Sequence, residues 1–157
     1  TDLDVEACDR LDAAGGKAET LDDVMKNAHI IIATTGCQGL IKPEMVRKGS
    51  VILALSNPNP EIEPDTAMKA GASFAADGKS VNNALAFPGI FRGALDARAT
   101  DITESMKLAA AEAIAQSVTD DELCETFIMP PVFDKSVSQR VAAAVAAAAI
   151  SEGVCRP

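Results

Sequence analysis

The chain has 157 residues, with 14 basic and 23 acidic side chains and a formal net charge of −9. Apolar residues make up 48% and aromatic ones 3%, with no Trp and no Tyr. That apolar content excludes an intrinsically disordered chain, and the acidic balance argues against nucleic acid or an anionic membrane surface as a partner, since both select Lys and Arg. No apolar run approaches the roughly 20 residues that span a bilayer. The chain opens on Thr1 with no signal-peptide pattern, so the expectation is a cytoplasmic stretch that begins partway through a longer polypeptide.

In chain order, Val5, Cys8 and Leu11 share one face of an opening helix that Gly15-Gly16 ends. LDDVMKNA (21–28) reads as a short helix. HIIIATTG (29–36) is a continuous β-branched run, the pattern of a fully buried parallel strand. KPEMVRKG (42–49) predicts a helix with Pro43 in its first turn. SVILALSNPNP (50–60) is a second buried strand, ended by Asn-Pro steps. EPDTAMKAG (63–71) is a helix and ASFAADG (72–78) a third, less apolar strand. NNALAFPGIFRGALDARA (82–99) is helical with a break at Pro88-Gly89. DITESMKLAAAEAIAQSV (101–118), capped by Asp101 or Thr103, and KSVSQRVAAAVAAAAISEG (135–153), stopped by Gly153, are Ala-rich helices suited to close packing.

Alternating strands and helices imply βαβ crossovers and a parallel sheet covered on both faces. The fold class is therefore α/β: an incomplete Rossmann-like parallel sheet lacking its first βα unit, then C-terminal α-helices. The expected division is a sheet-bearing part over 1–99 and a helical extension over 100–157. No G-x-G-x-x-G occurs, although a dinucleotide fold opens with that loop. TDLD at the start would fit the end of the next strand, making Asp2 or Asp4 a candidate acceptor for ribose hydroxyls. A plain helix-capping role for either aspartate stands beside that reading.

In an open parallel sheet, ligands sit beyond the carboxyl ends of the strands. Thr34, Thr35 and Gly36 end the first strand, where hydroxyls and bare backbone can meet a phosphate, ribose or amide; a tight turn is the alternative. Asn57, between Ser56 and Pro58, ends the second, and its amide both donates and accepts. Asn82 and Asn83 open the next helix and offer a carboxylate grip without formal charge, although an N-cap role explains one of them. The four cysteines, Cys8, Cys37, Cys124 and Cys155, form no CxxC pair, and the single His29 completes no zinc set. In a chain of this size without secretion signals, small buried or half-buried thiols in a reducing cytosol are favoured over a disulfide. The acidic group Asp120, Asp121, Glu122 and Glu125 reads as a solvated loop.

VNNALAFPGIFRGALDARA (81–99) resembles the C-terminal signature of malic enzymes of the bacterial type. VILALSNPNPEIEP (51–64), IIIATTGCQGLIKPEMV (30–46) and FIMPPVFDKSVSQRVAAAVAAAA (127–149) fit the same family in the same order. The resemblance implies oxidative decarboxylation of malate to pyruvate and carbon dioxide with reduction of NAD or NADP, and a homo-oligomer. It places Asn57, Asn82 and Asn83 against substrate. Asp2, Asp4, Thr34, Thr35, Gly36, Asn57 and Asn82 would meet the cofactor. The family's Tyr and Lys acid/base pair and its ligands for Mg2+ or Mn2+ lie upstream, so the resemblance implies no catalytic residue or metal ligand here and no malate turnover by this chain alone. IIIATTG is also similar to the strand end of adenosylhomocysteinase-like domains, so another NAD-dependent Rossmann dehydrogenase competes. A non-catalytic nucleotide-binding or regulatory module is the third reading.

Overall fold

The computed structural model describes residues 1–125 and 127–157. They divide into two compact units, Thr1–Val81 and Asn82–Pro157.

The first unit holds helix α1 (Val5–Ala13), helix α2 (Leu21–Asn27), strand β1 (Ile30–Ala33), strand β2 (Val51–Ala54), helix α3 (Pro64–Ala70) and strand β3 (Phe74–Asp77). The strands form a parallel sheet in the order β1-β2-β3, with Ala33, Ala54 and Asp77 level at its carboxyl edge. Met25 of α2, Ile31 and Ala33 of β1, Ile52 and Ala54 of β2, and Ala67 of α3 form the core with Ile41, Ile62 and Ala72. Only one face of the sheet is buried in this way. Ile30 and Ile32 are each 64% exposed, so β1 is not the fully buried strand its composition suggests, while Val51 and Leu53 beside them on β2 are half-buried. A β-branched run fits either environment, because periodicity cannot separate a doubly covered strand from one with an open apolar face.

Two further expectations change. The segment 42–49 keeps only a 3₁₀ turn over Pro43–Met45, after which Val46 is already extended. Helix α1 forms as expected, but it buries no residue.

In the second unit a 3₁₀ turn (Asn83–Ala86) precedes helices α4 (Gly89–Asp96), α5 (Glu104–Ala115) and α6 (Lys135–Glu152). The break falls at Pro88, as the sequence predicts. Val137, Val141, Val145 and Ala149, one helical turn apart, form a stripe on α6 that is at most 1% exposed. It packs with Met106, Ala110, Ala113 and Ile114 of α5. Helix α4 reaches α6 through glycine: a Cβ on Gly93 would stand 2.3 Å from the Ala142 carbonyl oxygen, and one on Gly89 2.7 Å from that of Ser138. Thr103 caps α5 through the Met106 amide, and Gly153 ends α6.

Candidate functional site

Parallel strands end at one edge, so the β1 and β2 loops emerge side by side. The ladder runs one step further, with the Leu55 amide donating to the Ala33 carbonyl at 2.8 Å. Beyond it stand Thr34-Thr35-Gly36 on one side and Ser56-Asn57-Pro58 on the other.

Glu61 joins these two loops. It is fully buried, and its Oε1 accepts from the Thr35 amide at 2.6 Å, the Thr35 hydroxyl at 2.8 Å and the Ser56 hydroxyl at 2.5 Å. Its Oε2 faces the Ser56 amide at 3.4 Å. The Ser56 hydroxyl in turn accepts from the Gly36 amide at 2.8 Å. Burial pushes the Glu61 carboxyl up, but the Ser56 and Thr35 hydrogen bonds outweigh it and hold the group at about 2. The following backbone continues the tie: the Ile41 amide donates to the Glu61 carbonyl at 3.1 Å, and the Gly39 amide to that of Pro60 at 3.2 Å. Sequence reasoning assigned Glu61 no role. Its only signal was a glutamate lodged in the proline-rich turn NPNPEIEP, and that pattern does not reveal burial.

The structure divides the expected contacts into committed and uncommitted groups. The Thr35 hydroxyl is committed, donating to Glu61 and accepting from the Cys37 amide at 3.2 Å. Thr34 is exposed. Gly36 has φ +71°, with nothing within 4 Å of a would-be Cβ, so its backbone is open to an approaching flat group. Asn57 is exposed, and its side chain makes no hydrogen bond among the described residues. The third strand end is closed by Asp77, whose Oδ1 accepts from the Ser80 amide, the Ser80 hydroxyl and the Lys79 amide at 2.8–3.1 Å.

Asp2 and Asp4 lie in the turn that starts α1. Asp2 accepts from the Asp4 amide at 3.0 Å, and Asp4 caps the helix through the Glu6 amide at 2.9 Å. Asn82 and Asn83 belong to the second unit. They open a four-residue 3₁₀ turn instead of a full helix, and the Asn82 side-chain Oδ1 caps it by accepting from the Ala84 amide at 2.9 Å. Asn83 is exposed.

Among the described residues no group of three or more His, Cys, Asp or Glu side chains is placed to hold a metal. Glu122 of the acidic loop accepts from the Thr119 amide and hydroxyl. The residues present therefore do not fit a divalent metal centre. They do fit the flat, uncharged end of a nucleotide cofactor: small residues, bare backbone and a neutral amide. No helix among the described residues is long and apolar enough to cross a membrane.

Residues 75–150 match the family described as malic enzyme, NAD binding domain. NAD-dependent malic enzyme 1 of Bacillus subtilis is 52% identical over 96% of this chain and 34% of that protein. The NADP-dependent malic enzyme of Escherichia coli is 41% identical over 86% of this chain and 21% of that protein. The crystal structure of malic enzyme from Pyrococcus horikoshii superposes with a TM-score of 0.77 at 44% identity, over 86% of this chain and 33% of that one. The chain thus spans about a third, or less, of the length of these relatives. With the parallel sheet, its strand-end asparagine and this agreement along nearly its whole length, the chain belongs to the malic enzyme family and carries its NAD-binding part.

Proposed function

We propose that this chain is the cofactor-binding part of an enzyme that oxidatively decarboxylates malate to pyruvate and carbon dioxide while reducing NAD(P). The observation that carries this reading is the exposed, uncommitted amide of Asn57 at the carboxyl end of β2, in a chain whose relatives are malic enzymes. Bound nucleotide supplies the hydride acceptor. The chain's own residues bind and orient: Asn57 donates to a malate carboxylate or hydroxyl. The backbone at Gly36 and the Thr34 hydroxyl meet the cofactor. Holding donor and acceptor in one geometry is the main help such neutral groups give to hydride transfer.

Asp2 or Asp4 as the ribose acceptor favours a free 2′-hydroxyl over a 2′-phosphate, so NAD is the expected cofactor. The acid/base groups and the Mg2+ or Mn2+ ligands belong to other parts of the complete enzyme, which works in the cytoplasm as a homo-oligomer. Turnover is tested with the complete enzyme and with this chain alone. The expected result is malate-dependent NAD(P)H and pyruvate in equal amounts from the complete enzyme, and none from the isolated chain. No malate-dependent reduction of either nucleotide by the complete enzyme would refute the reading.

A further inference from the structure

We propose that Glu61 is a positioning residue for this reaction: one buried carboxylate that sets the β1 and β2 loops jointly, so that cofactor and substrate contacts are held as a single unit. The inference rests on the malate reading for what the two loops bind. Glu61 itself does not face the edge, since its side chain is fully buried.

A buried carboxylate is costly unless its charge is answered. No Lys or Arg pairs with Glu61 among the described residues. The compensation comes from neutral donors, chiefly Thr35 of the first edge loop and Ser56 of the second, with Glu61's own backbone amide adding a smaller share. The Gly36 amide joins through the Ser56 hydroxyl. A core that needed only to be filled would accept an apolar side chain here at lower cost. The donors are also immediate neighbours of the groups left open, with Thr35 between Thr34 and Gly36 and Ser56 next to Asn57. Displacing the carboxylate therefore moves both binding loops at once, whereas a change at Asn57 affects one.

The test uses the complete enzyme with Glu61→Gln and Glu61→Ala. Steady-state constants for malate and cofactor are read beside hydrogen exchange at the Thr35, Gly36 and Ser56 amides. Glu61→Ala is expected to raise KM for malate and for cofactor together, each roughly tenfold, and Glu61→Gln, which keeps an acceptor in place, about threefold. The three loop amides lose protection while Ile31 and Ile52 keep theirs. Constants per folded molecule equal to wild type, with only a lower melting temperature, would overturn the proposal. If Glu61→Ala does not fold, unchanged constants in Glu61→Gln overturn it. If wild type shows no turnover with malate, the malate reading fails and exchange alone decides. Joint loss of protection in the two loops then supports positioning, and retained protection overturns it.

Discussion

The hydroxyl of Ser56 lies 2.5 Å from the buried Glu61 carboxylate and donates to it. The same oxygen accepts from the Gly36 amide, so one hydroxyl closes a chain of hydrogen bonds across two loops. Ser56→Ala removes both bonds and leaves the carboxylate with a donor fewer. The expected cost in chemical denaturation is about 1–3 kcal/mol, typical of a buried partner left unsatisfied. A denaturation midpoint equal to that of wild type would contradict it.

Acid should act on the same residue. The folded-state pKa of Glu61 is lowered from 4.5 to about 2, so the folded state favours the charged form. Its contribution to stability is complete above about pH 4.5 and is lost as pH falls toward 2. Asp77 is shifted the same way: burial opposes the shift, but the Ser80 and Lys79 donors outweigh it. A comparison with a variant therefore isolates Glu61. Between pH 5 and 3, wild type should lose more stability than Glu61→Gln, by roughly 1 kcal/mol or more. Parallel pH profiles would show that the carboxylate does not titrate as described.

In the second unit, the α4–α6 contact depends on bare backbone. Gly93→Ala gains helix propensity but drives a methyl into the Ala142 carbonyl, 2.3 Å away. Overpacking of this kind costs about 1–3 kcal/mol, against roughly 1 kcal/mol gained from propensity. Thermal unfolding should therefore show net destabilisation, and a raised melting temperature would show that the helices separate freely.

Most of the fold was legible because each element carried local signals. Pro64 and Gly71 bracket α3, Thr103 caps α5, and the Val137–Val141–Val145 spacing on α6 is a helical stripe. What was not legible depended on tertiary context. The Ile30–Ile32 run looks the same whether its outer face is covered or open, and Lys42–Lys48 has helix-compatible residues that the chain leaves after one turn. The site was half legible. Strand-end position pointed to Thr34, Gly36 and Asn57, but it could not show that the Thr35 hydroxyl is occupied or that Asn82 caps its own turn. Glu61 was invisible for a simpler reason: glutamate is usually solvated, and only the fold puts this one beneath the loops.

The central claim is that the carboxyl edge of the sheet, at Asn57, holds the substrate of the complete enzyme. Asn57 is exposed and makes no hydrogen bond within the described chain, so Asn57→Ala should leave stability within about 0.5 kcal/mol of wild type. The most direct measurement is kcat/KM for malate in that variant, read beside its melting temperature. The account predicts a fall of roughly 10- to 100-fold at an unchanged melting temperature, the worth of one hydrogen bond to a charged group. A kcat/KM equal to wild type would contradict it.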